Sequence, residues 1–122
     1  MKQKLKLANI TNTSEIPEDI LLHGDKYHHK RKNLSCETGG NISCCLIEAP
    51  PGKTSYPYHY NCENDESLFI FEGNAELRYD DEIHIISKGD YISFPAEGPA
   101  HQLSNTGDTA LRYLCISTMN TP

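Results

Sequence analysis

From Leu34 onward the chain is cut into short apolar stretches by turn-forming residues, and this punctuation constrains its fold more than any other feature. The stretches are Asn41–Ala49 (NISCCLIEA), Ser67–Glu72 (SLFIFE), Ala75–Tyr79 (AELRY), Glu82–Ser87 (EIHIIS), Tyr91–Pro95 (YISFP) and Ala110–Thr118 (ALRYLCIST). β-Branched and aromatic residues dominate them, and the breaks read PPG, EGN, DD, KGD, AEGPA and NTGDT. Short runs of this kind, bounded by turn chemistry at near-regular spacing, are strands of an antiparallel sandwich or barrel. No window places apolar residues at i, i+3, i+4 and i+7, so no amphipathic helix is expected. The breaks at Gly73-Asn74 and Asp80-Asp81 are short enough for hairpins.

Residues 1–33 have a different texture: turn formers, Pro17, and only the short apolar piece IPEDILL. They read as an N-terminal arm packed on a barrel domain of residues 34–122. Within the arm, KYHHKRKN (Lys26–Asn33) is a basic patch in a chain of net charge −6 and pI about 5.4. The acidic balance argues against a nucleic-acid partner, and the patch reads as a solvated loop. At 122 residues, with 37% hydrophobic content and mean hydropathy −0.59, one lean core is expected. The N-terminus MKQKLKLANITNTSE has no continuous apolar run, and no stretch approaches membrane-spanning length. A cytoplasmic location is therefore expected. The cysteines (Cys36, Cys44, Cys45, Cys62, Cys115) are odd in number and form no CxxC pair, so buried or loop thiols are expected rather than disulfides or structural zinc.

The chemistry-bearing pattern is YHYNCENDESLFIFEG, Tyr58–Gly73. In an extended segment His59 and Asn61 share a face, and Glu66 opens the next strand. Far downstream His101 lies in PAEGPAHQLSN. Two imidazoles and a carboxylate converging inside a barrel make a two-histidine, one-carboxylate metal site, with positions open for water or substrate. Taken singly, each of these residues is an ordinary polar side chain; their combination carries the signal. Tyr58 and Tyr60 fall on the opposite face from His59 and read as packing residues, and Cys62 shares their parity. His84, among apolar neighbours, reads as a hydrogen-bonded core or cavity residue, and His23, His28 and His29 as solvated. Gly73, Gly89, Gly98 and Pro99 read as scaffolding. No dinucleotide fingerprint, phosphate loop, nucleophile elbow or zinc-protease motif is present.

PPGKTSYPYHYNCENDESLFIFEG resembles the first motif of the cupin superfamily, through Gly52, His59, Glu66 and Gly73. GDYISFPAEGPAHQLSN resembles the second, through Gly89, Pro95, Gly98, His101 and Asn105. The resemblance spans roughly Ala49 to Ser117. It implies a double-stranded β-helix (jelly-roll) barrel, commonly paired as a homodimer, with a divalent metal such as zinc, iron, manganese or nickel. His59, Glu66 and His101 match three of the family's four ligands, and Asn61 replaces the second histidine of the pair. Asparagine ligates through its carbonyl oxygen, a weaker donor than imidazole. The loop before His101 is also one residue longer than the family pattern, because Gly98 stands three after Pro95.

Two functions follow from the resemblance. In the first, metal at His59, Asn61, Glu66 and His101 acts on a small oxygen-bearing molecule, by dioxygenase, isomerase or related chemistry. In the second, the same pocket, with or without metal, binds a carbohydrate-like ligand without turnover, as a sensor or storage module. A barrel that keeps these residues without metal or ligand is a third. No catalytic acid or base is assigned, and whether the chain is an enzyme stays open at this point.

Overall fold

The computed structural model describes residues 10–35, 40–56 and 63–119. A single 3-10 turn, Thr13–Glu15, opens it, capped by Asn12, whose side chain accepts from the Ser14 N–H. Everything regular after it is strand: β1 (Asp19–His23), β2 (Tyr27–Asn33), β3 (Ile42–Ala49), β4 (Glu66–Glu72), β5 (Asn74–Tyr79), β6 (Glu82–Ser87), β7 (Tyr91–Phe94), β8 (His101–Ser104) and β9 (Leu111–Thr118). A six-stranded sheet runs β1-β2-β3-β9-β4-β7, a three-stranded sheet runs β6-β5-β8, and all strand pairs are antiparallel. The all-β, jelly-roll expectation holds.

The alternation expected of half-buried strands orients the core. On β9, Leu111 and Tyr113 are buried and Cys115 packs against them. On β3 the inward set is Cys45, Ile47 and Ala49, and on β4 it is Leu68 and Ile70. Ala75, Leu77, Ile86, Phe94 and Leu103 close the core from the other strands. Burial of each large apolar side chain contributes about 1.5–3 kcal/mol. Thr54 stitches the two sheets together, bridging Tyr27 of β2 and Ser104 of β8. Its hydroxyl meets the Ser104 hydroxyl at 2.9 Å.

Several expectations need correction. The basic patch is not a solvated loop: it is β2, half-buried along its length and paired on both sides, with β1 and with β3. Arg31 pairs with Asp19 at 3.3 Å, and Lys32 Nζ donates to the Thr13 carbonyl at 2.9 Å. Gly73 does not close a hairpin, and neither does Gly89, the other scaffold glycine. Each lies where the chain crosses from one sheet to the other, β4 to β5 and β6 to β7, with φ of +95° at both. The Asp80-Asp81 hairpin is present, with both residues in the left-handed region that a type I′ turn requires. His84 is half-exposed on β6, 3.6 Å from Glu82, and lines a groove on the same face as the buried Ile86 rather than sitting in the core. His29 is half-buried, and its Nδ1–H donates to the Ser55 carbonyl at 2.7 Å.

Candidate functional site

Glu66 and His101 are the first residues of β4 and β8, one in each sheet. Each shares the inward parity of its strand, so both side chains enter the barrel. They meet there: His101 Nε2 lies 3.0 Å from Glu66 Oε1. In this pair the Nε2–H donates and the carboxylate oxygen accepts. His101 is 1% exposed and its ring is held on two sides. Phe94 stacks on it with centroids 3.6 Å apart and planes 6° from parallel, and Tyr56 meets it edge-on at 6.2 Å. Phe94 owes its place to β-pairing, since it lies directly opposite Glu66 in the β4–β7 register. The aromatic walls fix the imidazole and exclude water, which strengthens its electrostatic coupling to the carboxylate.

The second carboxylate oxygen is also engaged. The Cys115 thiol donates to Glu66 Oε2 at 3.2 Å. Burial pushes the Cys115 thiol far up, and the Glu66 charge and hydrogen bond push it further, so Cys115 is a neutral donor. Tyr56 is likewise raised well above the usual phenol range by burial, then by Tyr113, Glu66 and Cys115 around it. Tyr113 is raised by burial, with Cys115 and Glu66 adding to the shift. The adjoining Ser55 side chain opposes that rise, although the two hydroxyls do not meet hydrogen-bond geometry.

The motif asparagine is structural. Asn105 is buried; its Nδ2 donates to the Ala49 and Thr109 carbonyls at 2.9 and 2.8 Å, and its Oδ1 accepts from the Gly107 N–H. Its backbone exchanges hydrogen bonds with Gly52 and Lys53, tying the two sequence motifs together.

Of the sequence-predicted ligands, Glu66 and His101 are brought together, while His59 and Asn61 lie outside the described residues, as do Tyr58, Tyr60 and Cys62. Among the described residues no group of three His, Cys, Asp or Glu side chains forms a metal-holding cluster. The donor chemistry of the pair, one carboxylate and one imidazole, fits half of a nitrogen-and-oxygen site for a divalent ion. Ser55, Tyr56, Tyr113 and Cys115 were not singled out as site residues. The only sequence signals for them are the i, i+2 spacing of Tyr113 and Cys115 and the position of Ser55-Tyr56 just before His59. A groove of about 220 Å³ is lined by Asp65, Glu66, Ser93 and Ser117. A roomier groove, about 430 Å³ between β5, β6 and β7, has neither Glu66 nor His101 in its lining.

No curated sequence matches the chain. Solved structures do. A protein from Acidithiobacillus ferrooxidans with a provisional sugar phosphate isomerase assignment is 27% identical, with TM-score 0.79 over 86% of this chain and 69% of its own. A sugar phosphate isomerase of the cupin superfamily from Silicibacter pomeroyi is 24% identical, with TM-score 0.81 over 93% of this chain and 77% of its own. The polyketide cyclase RemF from Streptomyces resistomycificus is 16% identical, with TM-score 0.79 over 95% of this chain and 82% of its own. The last two establish the fold and nothing finer. The cupin domain model matches residues 45–117, more than half of the sequence and both motifs, and with the barrel observed the chain belongs to the cupin family.

Proposed function

We propose that the barrel holds a divalent metal at a centre containing Glu66 and His101, with His59 as a third ligand and Asn61 beside it, and that a small oxygen-bearing molecule binds there. The observation that carries this reading is the convergence of one carboxylate and one imidazole, 35 residues apart in sequence, at 3.0 Å inside an aromatic-walled interior. A metal so placed supplies Lewis acidity to a ligand oxygen, or dioxygen chemistry if it is iron. The chain's own contributions are distinct from that. Phe94 and Tyr56 hold the His101 ring, Cys115 orients the Glu66 carboxylate, and the buried walls keep bulk water from the centre. Relatives with isomerase, decarboxylase and cyclase names share the fold, which leaves the reaction class of this chain open among metal-assisted rearrangements of small oxygenated substrates.

A second reading, ligand binding without turnover, is favoured by one specific observation. The Glu66 carboxylate is already engaged by His101 on one oxygen and by Cys115 on the other. A centre satisfied in this way serves recognition without needing an ion. The family resemblance also supports a homodimer. Elemental analysis of the untagged protein tests the metal. Near-stoichiometric divalent metal, lost in His101→Ala and Glu66→Gln, supports the first reading; a metal-free native protein with intact fold supports the second.

A further inference from the structure

Two hydroxyls inside the barrel, Ser55 Oγ and Tyr113 Oη, are shut off from solvent and make no hydrogen bond among the described residues. Ser55 is 3% exposed and Tyr113 1%. A buried hydroxyl that has left water and found no partner is costly, and folded proteins hold few of them. Here two lie side by side. Ser55 enters from the segment that stitches the sheets, its N–H bonded to the Leu103 carbonyl. Tyr113 enters from β9, two residues before Cys115 on the same face. Tyr56 links them to the centre already described: it follows Ser55 in the chain, meets His101 edge-on, and lies within electrostatic reach of Tyr113, Glu66 and Cys115.

We propose that Ser55 and Tyr113 form an oxygen-binding subsite beside the Glu66–His101 pair, taking an uncharged carbonyl or hydroxyl oxygen of a small polyhydroxylated ligand. Both groups are protonated hydroxyls and can donate together, so the matching partner is an oxygen lone pair. A charged oxygen does not fit. No lysine or arginine bonds to either hydroxyl among the described residues, and the Glu66 carboxylate nearby repels an anion. Phosphate and carboxylate groups are thereby disfavoured at this end, and a neutral sugar-like end is favoured. A groove of about 270 Å³ on the β1–β2 side is lined by Leu21, His29, Ser55 and Tyr56. The N–H of His29 fixes the Ser55 backbone at its edge. This subsite rests on reading the barrel interior as a ligand chamber, but not on the metal.

The test compares native protein with Tyr113→Phe and Ser55→Ala, using D-ribose as neutral probe and inorganic phosphate as charged probe in thermal-shift titrations. Without ligand, Tyr113→Phe should unfold at the native midpoint or above it, because no hydrogen bond is lost. D-Ribose should raise the native midpoint, and each variant should weaken the apparent Kd about tenfold. A fall of several degrees in ligand-free Tyr113→Phe would mean the phenol is satisfied within the fold, and overturns the subsite. No response to ribose, or a response to phosphate instead, overturns the ligand class. A ribose response undiminished in both variants overturns the subsite while leaving the proposed function standing. Metal content, which these hydroxyls do not touch, reports separately on failure of the broader reading.

Discussion

At the scale of single residues, the interior is organised around groups that hold one another's protons in place. Glu66 accepts from His101 on one oxygen and from Cys115 on the other, so removing either donor takes a hydrogen bond from a largely shielded carboxylate. His29 sits apart from that centre and makes a different prediction. Burial holds its imidazole below the ordinary value of 6.5, against the raising effect of its bond to the Ser55 carbonyl, while Arg31 and His28 lower it further. A histidine with a lowered folded pKa stays neutral in the native state while the unfolded chain takes up a proton. Its contribution is therefore complete above pH 6.5 and is lost as pH falls toward the folded pKa. Thermal midpoints of native protein should decline between about pH 7 and pH 5, and His29→Gln should flatten that slope. Parallel slopes would contradict the assignment. Glu66 and His101 were legible in the sequence because they occupy fixed places in spaced motifs. Ser55, Tyr113 and Cys115 were not, since their neighbours arrive through strand pairing; Cys115 and Glu66 are 49 positions apart.

At the scale of elements, the apolar runs from β3 to β7 and β9 announced themselves by composition and punctuation. Strand β2 did not, because KYHHKRKN carries no apolar alternation at all. Its placement comes from its neighbours: Lys30 to Asn33 pair with Glu48 to Cys45, and β1 covers its other edge. β8 was hidden too, since His101–Ser104 is short and follows a loop rich in proline and glycine. The two crossing glycines differ in a way that sequence does not reveal. A Cβ on Gly73 would lie 2.7 Å from the Ala110 carbonyl oxygen and 3.0 Å from Leu111 Cα, whereas one on Gly89 meets nothing within 4 Å. Both share φ of +95°, so alanine is strained at each. Gly89→Ala should cost about 1–2 kcal/mol in chemical denaturation. Gly73→Ala, which must also displace backbone, should cost at least about 3 kcal/mol. Equal losses would contradict the close approach of β4–β5 to the start of β9.

At the scale of the whole molecule, the face of the six-stranded sheet turned away from the core carries a row of apolar side chains. Leu46, Leu114, Phe69 and Tyr91 align in one row across β3, β9, β4 and β7, and Phe69 and Tyr91 are exposed. Such a row is a natural seat for a second copy of the chain. Sedimentation velocity should give a species near twice 13.7 kDa, and Phe69→Glu should shift it toward monomer with the fold retained. A native monomer would contradict pairing through this face. The barrel itself was readable in advance from turn spacing and the two motifs. Its closure through Thr54, and the contribution of residues 19–33 to the larger sheet, depend on long-range pairing that no local pattern encodes.

Membership of Glu66 and His101 in a metal centre can be read from a crystal structure grown with Mn²⁺ and measured for anomalous scattering. One anomalous peak is expected inside the barrel, about 2.0–2.3 Å from a Glu66 carboxylate oxygen and from His101 Nε2, in place of their direct hydrogen bond. An interior without such a peak, with His101 still bonded to Glu66 as it is at 3.0 Å here, would contradict it.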